Sequence, residues 1–359
     1  MSETARDYRP GDPRSKGANP QRRIPQDWPK DRRFRILSID GGGIKGLFPA
    51  TVLAELERRY LGGDSVARYF DLVVGTSTGG ILALGLGAGL KASELADLYA
   101  DRGADVFPKP TESPIGRMRS WWRTKRGFLH YHYERTALES LLLDALGAKL
   151  LGDSIVRLCI PAFEGKHSEI LVFKTPHHPD YKIDRFQSMV KVALATSAAP
   201  TYFRPLEHQG YTLVDGGIWA NNPVMLAIIE ALVCFDLNRD QIDVLSVGCG
   251  EDPYIVSEDQ LNEGGKLAWA DVIFAAMRLQ SLAATNQAKL LLGPSAIRRI
   301  NPPANSKPIL LDDFRRSLDE LVPAARLVVD IQGDQLAAGF LATRASRYRP
   351  QRLPPRGAE

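Results

Sequence analysis

The chain has 359 residues, 44% hydrophobic and 25% charged, a globular composition long enough for one large α/β domain with a modest appendage. Its net charge of +4 sits in the first 35 residues, where ten Lys/Arg stand against five Asp/Glu; the near-neutral remainder argues against a body with a nucleic-acid-coating basic face. Three widely spaced cysteines, Cys159, Cys234 and Cys249, without a CxxC pair argue against a disulfide framework or zinc site and point to a reducing compartment.

The N-terminus "MSETARDYRPGDPRSKG" has no apolar core, so no signal peptide and a cytoplasmic location are expected. Residues 1–33 read as a flexible basic arm that could meet an anionic surface. "FRILSI" (34–39) is an apolar, β-branched run and predicts a buried strand. Leu47, Val52, Leu53, Leu56 and Tyr60 then follow helical spacing, with Pro49 in a tolerated first turn. The uncharged stretch Leu72–Leu90 matches a membrane span in length. Its glycines and the Thr76-Ser77-Thr78 run divide it into strand, turn and helix, so burial in protein is expected instead. A helix is expected over 93–107, an aperiodic cap over 108–129 and another helix over 134–147. Within the cap, "RMRSWWRTKRGF" sets five cations around Trp121 and Trp122. It reads either as a patch for anionic lipid or as a cap packing its tryptophans inward. Strands are expected at 155–163, 169–175, 211–216 and 242–248. Helices fit 187–198, 223–235, 266–292 and 318–345, the last broken near Pro323 or Gly333. The tail from 346 is basic and Pro-rich, and reads as frayed. Strands alternating with helices imply a mostly parallel sheet covered on both faces. A catalytic core over 34–250 and a helical part over 251–345 packed on it complete the expected organisation.

Two glycine motifs carry the chemistry. Gly41, Gly43 and Gly46 form GxGxxG after a strand, as a dinucleotide-binding turn does. The matching acid, Asp64, falls in "LGGDSVARY", a loop rather than the strand end that fold requires. The second motif, "GTSTG", places Ser77 between Gly75 and Gly79 at a strand-to-helix turn, the setting of a nucleophile elbow. A serine alcohol needs a base and donors for the tetrahedral oxyanion, each worth roughly 3 kcal/mol; N–H groups of the first glycine loop can supply them. No histidine lies beyond His208, against the Ser, acid, His order of an α/β-hydrolase. His130, His132, His167, His177, His178 and His208 read as surface or turn residues. Asp215 in "LVDGGIWANNP" ends an expected strand and is followed by Gly216 and Gly217. It reads as a turn aspartate or, if burial raises its pKa from about 4, as the base of a two-residue dyad.

Together, "DGGGIKG" (40–46), "GTSTG" (75–79) and "DGG" (215–217), with "ATSAAPTYF" (195–203) and "NNP" (221–223), resemble the patatin-like acyl hydrolase family over roughly residues 34–250. Lys45 stands where many members have Arg, keeping a cation. The resemblance implies a three-layer α/β/α fold and phospholipase A-like hydrolysis of membrane phospholipid esters at the inner membrane face. Ser77 would be the nucleophile, Asp215 the base, and the N–H groups of Gly42, Gly43 and Ile44 the oxyanion donors. Asp40, Gly41, Lys45, Gly46, Gly75, Gly79, Gly216 and Gly217 would support the motifs, with no metal and no cofactor. A narrower resemblance, to bacterial patatin-like effectors of cyclic-oligonucleotide antiphage systems, implies activation by a cyclic dinucleotide such as cGAMP. Control would then reside in 251–345, with assembly on activation a further expectation. The alternatives are a soluble carboxylesterase or thioesterase with the same dyad, a non-catalytic lipid- or nucleotide-binding relative, and a nucleotide-binding oxidoreductase.

Overall fold

The computed structural model describes residues 11–12, 23–106, 133–250, 272–303 and 308–351. The expected cap with Trp121 and Trp122, most of the arm before residue 23, and the tail past 351 lie outside the described residues.

One sheet of eight strands organises the chain: β1 (Phe34–Ile39), β2 (Leu72–Gly75), β3 (Arg157–Glu164), β4 (Glu169–Lys174), β5 (Leu206–His208), β6 (Tyr211–Asp215), β7 (Ile242–Val247) and β8 (Ile297–Ile300). Its order is β5-β6-β3-β2-β1-β7-β8, with β4 also on β3. The run β3-β2-β1-β7-β8 is parallel, while β4 and β6 run antiparallel to β3. The helices are α1 (Leu47–Tyr60), α2 (Thr78–Gly87), α3 (Ala92–Val106), α4 (Thr136–Leu146), α5 (Met189–Thr196), α6 (Val224–Cys234), α7 (Val272–Leu292) and α8 (Val322–Leu336).

Alternation along the strands creates the layers. Leu37, Ile39, Val73, Leu245 and Val247 face one core, which α1 to α5 and α8 cover. Ile36, Leu72, Val74, Ile242 and Val244 face the other, closed by α6, α7 and Trp28. A strand buried on both faces is mostly apolar, as β1 is; its buried Arg35 is satisfied by the carbonyls of Phe340 (2.8 Å) and Thr343 (2.6 Å). The three-layer α/β/α fold is thus present.

The pairing along β3 positions the site. Its Cys159 pairs with Val74 of β2, and its Ala162 with Asp215 of β6, while β4 pairs with both residues from the opposite edge. So β2 and β6 share one edge of β3 and run toward each other. The turns after their C-terminal ends, carrying Ser77 and Asp215, meet beside Pro161.

Several expectations need correction. Residues 23–33 are docked rather than a free arm: Gln26 N–H donates to Cys234 O (2.8 Å), and Trp28 is buried between Phe34 and Phe235. The tail is anchored through Gln351, whose N–H donates to Pro176 O (2.8 Å), and through buried Tyr348. The sheet does not end before 250, because β8 joins it from the helical part. The last helix changes form next to Pro323, from a π turn to α8, and is not broken at Gly333. Pro323 sits in the first turn of α8, following a π-helical turn at Ser317–Leu321, where its missing N–H costs nothing. At Gly333 Tyr60 packs so closely that a Cβ would lie 2.5 Å from its hydroxyl. The uncharged 72–90 stretch forms β2, a turn and α2 inside the protein. Among the described residues, no helix is long and apolar enough to cross a membrane.

Candidate active site

The elbow follows from three contacts its residues make. β2 ends at Gly75, and Ser77 takes φ 54° and ψ −120° before α2 begins at Thr78, a conformation that costs a non-glycine residue about 1–3 kcal/mol. The chain can turn so sharply only because its flanking positions lack side chains. A Cβ on Gly75 would lie 2.0 Å from Gly79 O, and one on Gly79 would lie 2.3 Å from Ile39 O. The Ser77 N–H donates to Thr196 Oγ1 (3.0 Å), which itself donates to Pro161 O (2.6 Å). Thr76 Oγ1 donates to Ala220 O (2.6 Å). The strained serine is therefore held from β3, α5 and the turn after Asp215.

Asp215 is buried at 4% exposure; its Oδ1 accepts the Gly217 N–H (2.7 Å), and the Ser77 hydroxyl is near enough to favour its charged form. Burial raises its pKa from 3.8 to about 7, while the bonds from Ser77 and Gly217 pull the other way. Gly216 follows with Pro161 O against it; a Cβ there would lie 2.4 Å from that oxygen. The pair has the separation of tasks a dyad needs: a half-buried alcohol facing the cavity and a carboxylate poised near neutral pH.

The first glycine loop crosses the C-terminal end of β1. Asp40 N–H donates to Val247 O and Gly41 N–H to Asn221 O, both at 3.0 Å. Gly46 abuts Thr78, so this loop and the elbow are packed against each other. Gly42 and Gly43 N–H have no acceptor among the described residues. The third expected donor differs: Ile44 N–H donates to Leu311 O (2.8 Å), so in this conformation it is closed to a substrate. Asp40 is buried and held by Arg299 of β8 through Nη1 (2.9 Å) and Nη2 (2.5 Å). Lys45 is buried and lines the same cavity as Ser77 and Asp215.

That cavity measures about 550 Å³ and is walled mainly by apolar side chains, among them Ile44, Ile81, Leu138, Phe203 and Ile309. It is a size typical of ligand sites, and it opens onto Ser77, Asp215 and the glycine loop together. Ser197 and Ala199 of the "ATSAAP" segment also line it.

The alternatives fare differently. Asp64 lies in the turn after α1 and pairs with Arg344 (2.7 Å), away from any strand end, so the GxGxxG reading lacks its ribose-binding acid. Of the histidines, none lines the cavity; His130 and His132 lie outside the described residues. His177 is buried, its Nε2 3.0 Å from Glu230 and its Nδ1 beside Thr175. Cys159, His177 and Glu230 could hold a metal, their ligand atoms lying within 4.8 Å of one another. Glu230 already accepts from Lys174 (2.6 Å). Burial would raise the Glu230 carboxyl, but His177 and Lys174 hold it below the usual range. A cation there would have to displace the Lys174 ammonium, so the cluster reads as a buried ion-pair network.

A patatin-like phospholipase family model matches residues 37–228, from the second half of β1 through the elbow and Asp215. The chain belongs to the patatin-like phospholipase family. Among curated relatives, a cGAMP-activated phospholipase from Escherichia coli is 35% identical over 253 residues, covering 64% of this chain and 66% of that protein. Another from Vibrio cholerae is 37% identical over 248 residues, covering 64% and 68% respectively. The chain thus spans just under two thirds of the first relative's length. Among solved structures, VipD from Legionella pneumophila is 14% identical with a TM-score of 0.39, covering 88% of this chain and 71% of that one.

Residue reading of the sequence missed Arg299, Thr196 as the elbow's anchor, and Leu311. "IRRI" sets two adjacent arginines between two isoleucines, without the alternation that marks a half-buried strand. Nothing in the sequence marks a backbone carbonyl as a partner.

Proposed function

We propose that this patatin-like chain is a serine acyl hydrolase of the phospholipase A type, cleaving membrane phospholipid esters at a membrane surface. The observation that carries the reading is that Ser77 and a buried Asp215 line one apolar cavity together with the glycine loop. In the proposed cycle Asp215 takes the Ser77 proton as Oγ attacks the ester carbonyl carbon. The carbonyl oxygen becomes an anion that Gly42 and Gly43 N–H stabilise, each donor contributing about 3–4 kcal/mol. The bond to the lysolipid oxygen breaks, and that oxygen takes the proton back from Asp215. Water then attacks the acyl-Ser77 ester, gives its proton to Asp215, and the fatty acid leaves as Ser77 recovers it.

The names of the Escherichia coli and Vibrio cholerae relatives support a second element of the proposal, activation by a cyclic dinucleotide. The test is fatty-acid release from phospholipid vesicles by wild type and Ser77→Ala, each with and without cGAMP. Release by wild type only with the nucleotide, and a loss of about 10⁴-fold or more in the mutant, is the expected result. Release without nucleotide removes the switch and keeps the hydrolase. Turnover of p-nitrophenyl butyrate but never of vesicles makes the chain a soluble-ester hydrolase, and an active Ser77→Ala overturns the dyad.

A further inference from the structure

The oxyanion loop is gripped from a distant part of the chain. Ile44 is 1% exposed, and its N–H, at the start of the 3₁₀ turn Gly43–Gly46, would be a buried orphan without an acceptor, at a cost of about 1–3 kcal/mol. Leu311 O fills that need at 2.8 Å. The carbonyl comes so close because Gly43, at φ +58°, has no Cβ; one would lie 2.3 Å from Leu311 O. The same segment presses on the turn from its side: Phe314 and Ile44 both abut Gly103 of α3, where a Cβ would meet them at 2.8 and 2.7 Å.

The segment is itself pinned. Tyr133 Oη donates to Asp312 Oδ2 (2.8 Å), and Arg316 Nη1 donates to Pro308 O (2.8 Å). Asp313 caps the next turn by accepting Arg316 N–H (3.2 Å), and Ile309 is buried. From Phe314 the chain runs through the π turn into α8, which packs on α1. α1 begins at Leu47, immediately after the oxyanion loop.

We infer that Pro308–Phe314 is a positioning strut for the oxyanion loop, fixing where the Gly42 and Gly43 N–H groups stand relative to Ser77. The inference rests on the proposed role of those N–H groups. Ile309 of the strut also walls the cavity, but Tyr133 and Phe314 do not, so substitutions at those two act through the loop. Because an oxyanion exists only in the transition state, loosening the strut lowers kcat and leaves KM nearly unchanged.

The test uses the full chain with p-nitrophenyl butyrate, with and without cGAMP. Tyr133→Phe keeps the ring that stacks on Tyr202 and removes the hydroxyl that bonds to Asp312. Phe314→Ala removes the wedge against Gly103, and Phe314→Leu retains an apolar contact. Expected is a fall in kcat of about 10- to 100-fold for Phe314→Ala, a smaller fall for Tyr133→Phe, and recovery of most activity in Phe314→Leu. KM and the pH midpoint of the reaction should stay put, and thermal unfolding should confirm folded protein. Unchanged kcat in folded Tyr133→Phe and Phe314→Ala overturns the strut. A rise in kcat also overturns it, making the segment a brake on the loop. Ser77→Ala runs alongside: if it is active, the site assignment itself has failed; if it is dead and the variants behave as wild type, only the strut has.

Discussion

Asp215 is asked to be both buried and ionised, and its pKa of about 7 is the outcome. Below that value it carries its proton and cannot take the one on Ser77, so kcat/KM for a soluble ester should rise with pH and level off above about 8; a flat profile between pH 5 and 8 would remove Asp215 as the base. The same shift has a stability consequence of opposite sign. The folded state binds this proton more tightly than the unfolded chain does, so the stability it contributes at low pH is lost as pH rises from about 4 to about 7. Asp215→Asn, which can still accept the Gly217 N–H, escapes that loss. It should be inactive yet melt higher than wild type at pH 8, with the gain vanishing near pH 4 and bounded by about 4 kcal/mol. Gly79→Ala makes the complementary case. Its methyl meets Ile39 O at 2.3 Å, pushing α2 off β1, and should cost about 1–3 kcal/mol or more in urea unfolding together with activity.

At the scale of elements, β8 matters out of proportion to its four residues. It delivers Arg299 to Asp40, an ion pair with side chains 10% and 4% exposed. Removing one member strands a charge in the interior, so Arg299→Met should lower stability by about 3–5 kcal/mol, read from urea midpoints, while an Asp40→Asn/Arg299→Met double variant should recover part of it. The elbow was legible in the sequence because its geometry demands glycine at two fixed positions around a serine: a side chain at 75 would strike Gly79 O and one at 79 would strike Ile39 O. Asp215 was legible as the end of a strand, and its partner through the motifs around it. β5 and β8 were not, since three or four residues are too few for a period to emerge. The helix over 322–336 misled at Gly333, where glycine serves the approach of Tyr60 rather than a break. Residues 23–33 misled by composition: their basic, Pro-rich character hides Trp28, whose ring stacks under Arg32 and fills the second core.

For the molecule as a whole, the three layers were readable because β1 is mostly apolar and the helices alternate with strands. The sheet order was not, because periodicity says nothing about which strand neighbours which. That order has a temporal side. β1 is made early but completed by β7; Asp40 waits for Arg299; Ile44 waits for Leu311. Such long-range pairing forms late in folding, after the loops between have been closed. A chain still being synthesised holds Ser77 well before it holds Asp215, and both well before the segment that grips the oxyanion loop. On the proposed activity, the reaction centre is therefore complete only when the segment carrying Arg299 and Leu311 has emerged and docked.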